Sequence, residues 1–216
     1  MKTFQLEGSP REELGKKAAK AIRKTGSIPA VLYGSEPVSL PYDKLSSGDK
    51  LVETKEKKGL VVTDFTVTAE SVRKLIYTPE VYLIDLDIKG NKKVMATLKD
   101  IQFQPVTDEI LHIDFLEISK DKPIVIDVPV VLEGHAEGVK AGGKLSLEMR
   151  KLKVKALYSK IPEKLTINID SLGLGKTIQV GSLHFEGLEL MNAKNAVVCA
   201  VKLTRAARGA QATAAN

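Results

Sequence analysis

The 216 residues suffice for one large domain or two ordinary ones with proper hydrophobic cores, and a single cysteine, Cys199, excludes an internal disulfide framework. The first thirty residues hold no apolar stretch of signal-peptide type, and no later run approaches membrane-spanning length, so a cytoplasmic protein with no membrane partner is expected. The formal charge of +6 permits a polyanionic partner without requiring one; five Phe, five Tyr and no Trp exclude extensive base stacking.

The excess charge is concentrated at the start. Residues 1–34 carry seven basic residues, Lys2, Arg11, Lys16, Lys17, Lys20, Arg23 and Lys24, against three glutamates. Within them, residues 14–24 read as a helix: Leu14, Ala18, Ala21 and Ile22 recur at helical spacing, and Lys16, Lys20 and Arg23 share another face. Gly26 and Pro29 close it, and Ser9, Pro10 and Glu12 offer an earlier, capping-box start that Gly15 weakens.

Strand patterns follow over residues 60–68, 81–88, 94–103 and 110–118, with Gly90-Asn91 as a hairpin turn, which points to an antiparallel sheet or barrel. Ser119-Lys120-Asp121-Lys122-Pro123 interrupts the apolar pattern and marks a domain boundary. A second β region begins there. Ile124, Ile126, Val128, Val130 and Leu132 share one strand face. Leu152, Val154, Ala156 and Tyr158 alternate with Lys151, Lys153 and Lys155, and Leu165, Ile167 and Ile169 repeat the pattern, as in a half-exposed antiparallel sheet. The Ala-rich, polar residues 204–216 read as a disordered tail.

Catalytic and metal signatures fail on spacing. Gly173-Leu174-Gly175-Lys176-Thr177 resembles the end of a phosphate loop, but Asp170 stands where the first glycine belongs, and strand-like residues follow instead of a helix. His112, His135 and His184 are scattered, Cys199 has no thiol partner, and no Gly-x-Ser-x-Gly elbow exists. No catalytic residue, metal, cofactor or small-molecule substrate is expected.

Two features remain. Lysines on an amphipathic helix are most often a solvated outer face. In residues 110–116, however, Leu111, Ile113 and Phe115 face one side of a strand while His112 and Asp114 stand together on the other, roughly 6 to 7 Å apart. With Ile110 and Leu116 as apolar neighbours, the pair reads either as a partly buried salt bridge or as an RNA-facing pair. In the second case the carboxylate accepts hydrogen bonds from base donors.

The runs Gly15-Lys16-Lys17-Ala18-Ala19-Lys20-Ala21-Ile22-Arg23 and Gly26-Ser27-Ile28-Pro29-Ala30-Val31-Leu32-Tyr33-Gly34 resemble the opening of the bacterial large-subunit ribosomal protein twenty-five family. Asp100-Ile101-Gln102-Phe103-Gln104-Pro105-Val106 and Leu111-His112-Ile113-Asp114-Phe115 are similar to its second signature. Glu133-Gly134-His135-Ala136-Glu137-Gly138-Val139-Lys140 with Gly142-Gly143 resembles the start of the extra domain of its long form, also called general stress protein CTC.

The resemblance implies a mainly β fold with short helices: an antiparallel β-barrel-like domain over residues 1–120, a mainly β domain over 121–203 and the tail. It implies a structural protein of the cytoplasmic ribosome that binds the loop E region of 5S rRNA in the central protuberance beside other large-subunit components, and no enzyme. Carried onto matching positions, the RNA contacts are Arg11, Lys16, Lys20, Arg23, Tyr33, Gln102, His112 and Asp114, with Lys17 added on charge. Lys20 and Ala21 replace the frequent consecutive arginines, and Gln104 the common histidine, so Lys20 holds phosphate less directionally. An alternative is a stress-associated interaction protein acting mainly through the C-terminal β domain.

Overall fold

A computed structural model describes residues 2–11, 13–39, 49–53, 58–89 and 92–204. The Gly90-Asn91 turn, Glu12 of the capping-box reading and residues 205–216 of the tail lie outside the described residues. The chain divides into two compact units, Met1–Lys122 and Pro123–Asn216.

In the first unit the order is β1 (Lys2–Pro10), α1 (Lys16–Lys24), β2 (Ser27–Ser39), β3 (Asp49–Glu53), β4 (Lys58–Thr68), α2 (Ala69–Ile76), β5 (Tyr82–Ile88), β6 (Lys92–Phe103) and β7 (Ile110–Glu117). The strands lie in the order β1-β5-β6-β7-β2-β4-β3, and a further β1–β4 pairing closes six of them into a barrel, with β3 added on β4. Most pairings are antiparallel, as the alternation suggested. Two are not, because β1 runs parallel to β5 and β2 parallel to β7. Both join strands that are distant in sequence, and a parallel pair needs a crossover instead of a hairpin.

The barrel closes around large apolar side chains. Leu6, Leu32, Phe65, Ile84, Leu86, Ile113 and Phe115 are essentially inaccessible. Phe65 and Phe115 meet with ring centroids 5.7 Å apart, and each contributes about 1.5–3 kcal/mol by burial. Closure also depends on Gly8. A Cβ there would fall 2.6 Å from the Phe65 ring, just before Ser9 and Pro10 pair with Thr66 and Phe65 of β4. Ser9 and Pro10 therefore end a strand and do not cap a helix.

α1 is shorter and less buried than its periodicity suggests. Gly15, at φ 104°, enters the helix without a side-chain cap, no helix residue is fully buried, and Leu14 lies outside it, 48% exposed. Three alanines and one isoleucine give too small an apolar face to sink into a core. The C-terminus is better held. The Thr25 hydroxyl donates to the Ile22 carbonyl at 2.7 Å, and Gly26, at φ 75°, turns the chain into β2.

The second unit contains β8 (Ile124–Glu133), α3 (Glu137–Lys140), β9 (Lys144–Leu147), β10 (Lys151–Ala156), β11 (Leu165–Asn168), β12 (Thr177–Gln179), β13 (Glu189–Leu190) and β14 (Val197–Lys202). They form a sheet in the order β11-β8-β10-β13 and another in the order β12-β14-β9. The expected alternation holds: Ile124, Ile126, Val128, Val130, Leu152, Val154, Leu165 and Ile167 are buried. β8–β10 is antiparallel and β8–β11 parallel. The Gly-Lys-Thr run leads from a loop into the three-residue β12, followed by a single 3-10 turn, Val180–Ser182, and not by the α-helix a phosphate loop needs. Cys199 is buried in β14, and burial pushes its thiol up from the usual value.

Candidate nucleic-acid interface

The outer surface of the barrel beside α1 brings most of the singled-out residues together. On β7 the inward positions are Ile113 and Phe115, both at 0% exposure, so His112 and Asp114 point outward. Gln102 of β6 stands directly opposite His112, and Asp100 opposite Asp114. On the other side of β7, Val31 of β2 is in register with Asp114, and Tyr33 with Leu116. β4 extends the surface, with Asp64 opposite Val31.

His112 and Asp114 are in contact, with Nδ1 and Oδ1 2.8 Å apart and side chains 25% and 19% exposed. The approach is close without being aligned as a hydrogen bond. Asp114 Oδ1 is one of two buried side-chain oxygens among the described residues that lack a hydrogen-bonding partner, the other being Thr97 Oγ1. A buried carboxylate oxygen whose one close nitrogen is misaligned is incompletely satisfied and accepts readily from an incoming donor. Asp100 aggravates the position, since like charges directly opposite each other on a sheet repel. Its Oδ1 instead accepts the Ile101 N–H at 2.9 Å.

Tyr33 lies half-buried on the same face. Burial first, and then the Asp114 and Asp64 carboxylates, push its phenol above its usual pKa of 10.0, so it remains a neutral O–H donor and acceptor at physiological pH.

α1 borders this surface. Arg23 Nε donates to the Leu111 carbonyl at 3.0 Å, tying the helix to β7 one residue before His112. Arg23 also lines a cleft of about 640 Å³ with Arg73, Tyr77, Asp108 and Glu109. Lys16, Lys17 and Lys20 are exposed and make no ion pair among the described residues. Arg11 is turned onto its own segment, its Nε donating to the Glu13 carbonyl at 2.8 Å, while its backbone N–H bonds the Asp64 carbonyl at 3.2 Å. Arg11 thus stands at the β1–β4 closure, beside the β4 end of the surface.

One further cation stands on this surface, Lys99. The β6–β7 register shifts between Leu98 and Asp100, which leaves Lys99 unpaired in a bulge, its Nζ 4.6 Å from the Tyr33 ring centroid. The signal was present in the sequence: Lys99 and Asp100 are consecutive polar residues between Leu98 and Ile101, where strict alternation allows one. Among the described residues there is no group of three or more His, Cys, Asp or Glu side chains placed to hold a metal ion, and no helix long and apolar enough to cross a membrane.

Comparison with known proteins agrees with this architecture. The model of the ribosomal L25p family matches residues 6–49 and 52–115, and that of the ribosomal protein TL5 C-terminal domain matches residues 123–205. The large ribosomal subunit protein bL25 of Parabacteroides distasonis is 66% identical, covering 98% of this chain and 99% of its own. Those of Porphyromonas gingivalis and Phocaeicola vulgatus are 64% and 56% identical, covering 97% of both chains and 99% of both chains respectively. With its barrel, its second β unit and near full-length identity to these proteins, the chain belongs to the ribosomal L25p family, whose members are structural ribosomal proteins and not enzymes.

Proposed function

We propose that the protein is a structural component of the large ribosomal subunit in the cytoplasm, and that it binds 5S rRNA in its loop E region through the barrel surface formed by β2, β6 and β7 together with α1. The relatives' names support the first part. The observation that carries the second is the outward, half-buried His112–Asp114 pair, whose Asp114 Oδ1 has His112 Nδ1 2.8 Å away but no aligned hydrogen-bond donor. An RNA internal loop offers donors in its wide minor groove, and a base amino group would satisfy that oxygen.

In this reading the residues divide by chemistry. Lys16, Lys17 and Lys20 are mobile point charges for phosphates. Arg23 does two things: it meets the backbone and fixes α1 against β7, so that the helix charges and the reading strand keep one spacing. Arg11 serves the β1–β4 end. Gln102, His112 and Asp114 read bases or non-standard pairs, and Tyr33 contributes its hydroxyl. Phosphate contacts set the register and the base-edge contacts discriminate. The partners are 5S rRNA and neighbouring large-subunit components.

The test is a titration of the purified chain against a loop E fragment of 5S rRNA and a regular duplex of the same length, at several salt concentrations. Selective binding to loop E that persists as salt rises is the expected result. Equal, steeply salt-dependent binding to both RNAs would reduce the surface to a nonspecific electrostatic one.

A further inference from the structure

We infer that Lys99 is a further RNA-contacting residue of the barrel: from its bulge in β6 it supplies the cation through which a carboxylate-rich surface meets a phosphate. The inference rests on the RNA-binding reading of that surface and adds a contact outside the residues expected from the sequence.

The charges on this face present a problem for any polyanion. Asp64, Asp100 and Asp114 project from adjacent strands around Tyr33. Their field is felt locally, because Asp114 and Asp64 add to burial in pushing the Tyr33 phenol upward. Lys50 is already committed, its Nζ 3.2 Å from Asp64 Oδ2. Lys99 is exposed and makes no ion pair among the described residues. A phosphate approaching Tyr33 therefore finds its available ammonium at Lys99.

The bulge shapes the surroundings of Lys99 and leaves its direction unchanged. Leu98 packs against the core opposite Phe115, so the next residue, Lys99, points outward by ordinary alternation, and the register shift then brings Asp100 out as well, opposite Asp114. The shift leaves Lys99 unpaired, and its ammonium lies 4.6 Å from the Tyr33 ring centroid. The ring face attracts the cation and holds the flexible stem in one direction. A consequence for Tyr33 follows: its Lys99-side face is covered, so RNA meets the phenol by its hydroxyl and edge and not by base stacking on that face.

The test uses the full-length chain with Lys99→Met, which keeps the length of the stem and removes the charge, and Lys99→Arg, which keeps the charge. Each is titrated against the loop E fragment and the regular duplex over a series of salt concentrations. Lys99→Met is expected to bind both RNAs about three- to tenfold more weakly at low salt, with the slope of log K against log salt reduced by about one unit, and Lys99→Arg to keep the wild-type slope. Thermal melts identify any folding defect, and Lys99→Gln serves as the second neutral variant if methionine at the exposed bulge lowers the midpoint. An unchanged slope in the neutral variants, with or without lost affinity, overturns the contact, because a lysine that merely orients Tyr33 releases no counterion. A wild-type chain that fails to prefer loop E overturns the loop E reading instead, and the slope on the duplex still decides for or against Lys99.

Discussion

β7 of the first unit and β10 of the second are built on the same two-residue period, yet their outward faces differ in kind. β10 buries Leu152 and Val154 completely and sends Lys151, Lys153 and Lys155 outward, opposite Pro129, Asp127 and Val125 of β8. Lys155 pairs with Glu189 at 3.0 Å in the open. β7 buries Ile113 and Phe115 as completely, but its outward His112 and Asp114 are themselves mostly covered, and one carboxylate oxygen is left with only the misaligned His112 nitrogen beside it. Charge count would favour β10 as the nucleic-acid strand. What distinguishes β7 is a polar group held at a cost in the free protein, which is the more informative sign of a binding surface.

The inward faces should behave alike, and this is where the largest effects lie. Phe115→Ala is expected to destabilise the first unit by about 3–5 kcal/mol, and Leu152→Ala the second by about 2–5 kcal/mol. Denaturant titration followed by probes in each unit checks this. A loss below about 1 kcal/mol at either position would contradict the packed cores described here.

The outward faces should then separate. Asp114→Asn is expected to cost about tenfold in selectivity for loop E over a regular duplex, about 1.4 kcal/mol, while leaving folding stability within about 1 kcal/mol of wild type or slightly higher. Paired binding titrations and thermal melts measure both quantities. Equal loss on the two RNAs would remove base reading from Asp114, and a large stability loss would make the His112–Asp114 contact structural.

How much of this was legible in the sequence follows from which signals are local. The alternation of residues 110–116 and 124–132 is a property of consecutive side chains, and it gave both the buried and the outward positions. β1 and β2 were not recognised as barrel strands, because their parallel partners, β5 and β7, are distant in sequence and no turn announces them. α2 was missed for another reason: eight residues with only Val72 and Leu75 fully buried provide two turns of weak periodicity. α1 is the converse case: its spacing announced the helix that the structure has at Lys16–Lys24, and only the burial of its apolar residues fell short, because they are too small. As for the candidate site, residue types and resemblance named the residues proposed for it. The orphan Oδ1, the Arg23–Leu111 tie and the Lys99 bulge depend on angles and registers that only coordinates hold.

A second contrast concerns two carboxylates. Asp170 of the second unit is as well satisfied as Asp114 is not. The His135 backbone N–H, 2.7 Å from Oδ1, and then the Asn168 side chain hold its carboxyl below the usual 3.8. A folded-state pKa depressed in this way contributes stability that is fully present above the unfolded value and is lost as pH falls through the folded one. Asp170→Asn should therefore lower the thermal midpoint near pH 7 and converge on wild type in acid, once the pH lies well below the ordinary carboxylate range. Melts across that range check it; a difference that persisted unchanged at the acid end would assign the effect to altered packing instead of charge. Gly134 belongs to the same arrangement, since at φ 94° a Cβ there would strike the Asp170 carboxylate.

The smallest effect completes the comparison of strands. Lys153→Ala changes an exposed residue of β10 whose backbone N–H, and not its side chain, makes the local hydrogen bond, to Asn192 Oδ1 at 2.7 Å. Stability is expected to move by no more than about 0.5 kcal/mol, because the cross-strand Asp127 lies in high-dielectric surroundings where an ion pair contributes little. Selectivity between loop E and duplex should not change at all. A titration that showed Lys153→Ala losing loop E selectivity as Asp114→Asn does would erase the distinction between a solvated lysine row and a recognition strand, and would extend the RNA-binding surface to the second unit.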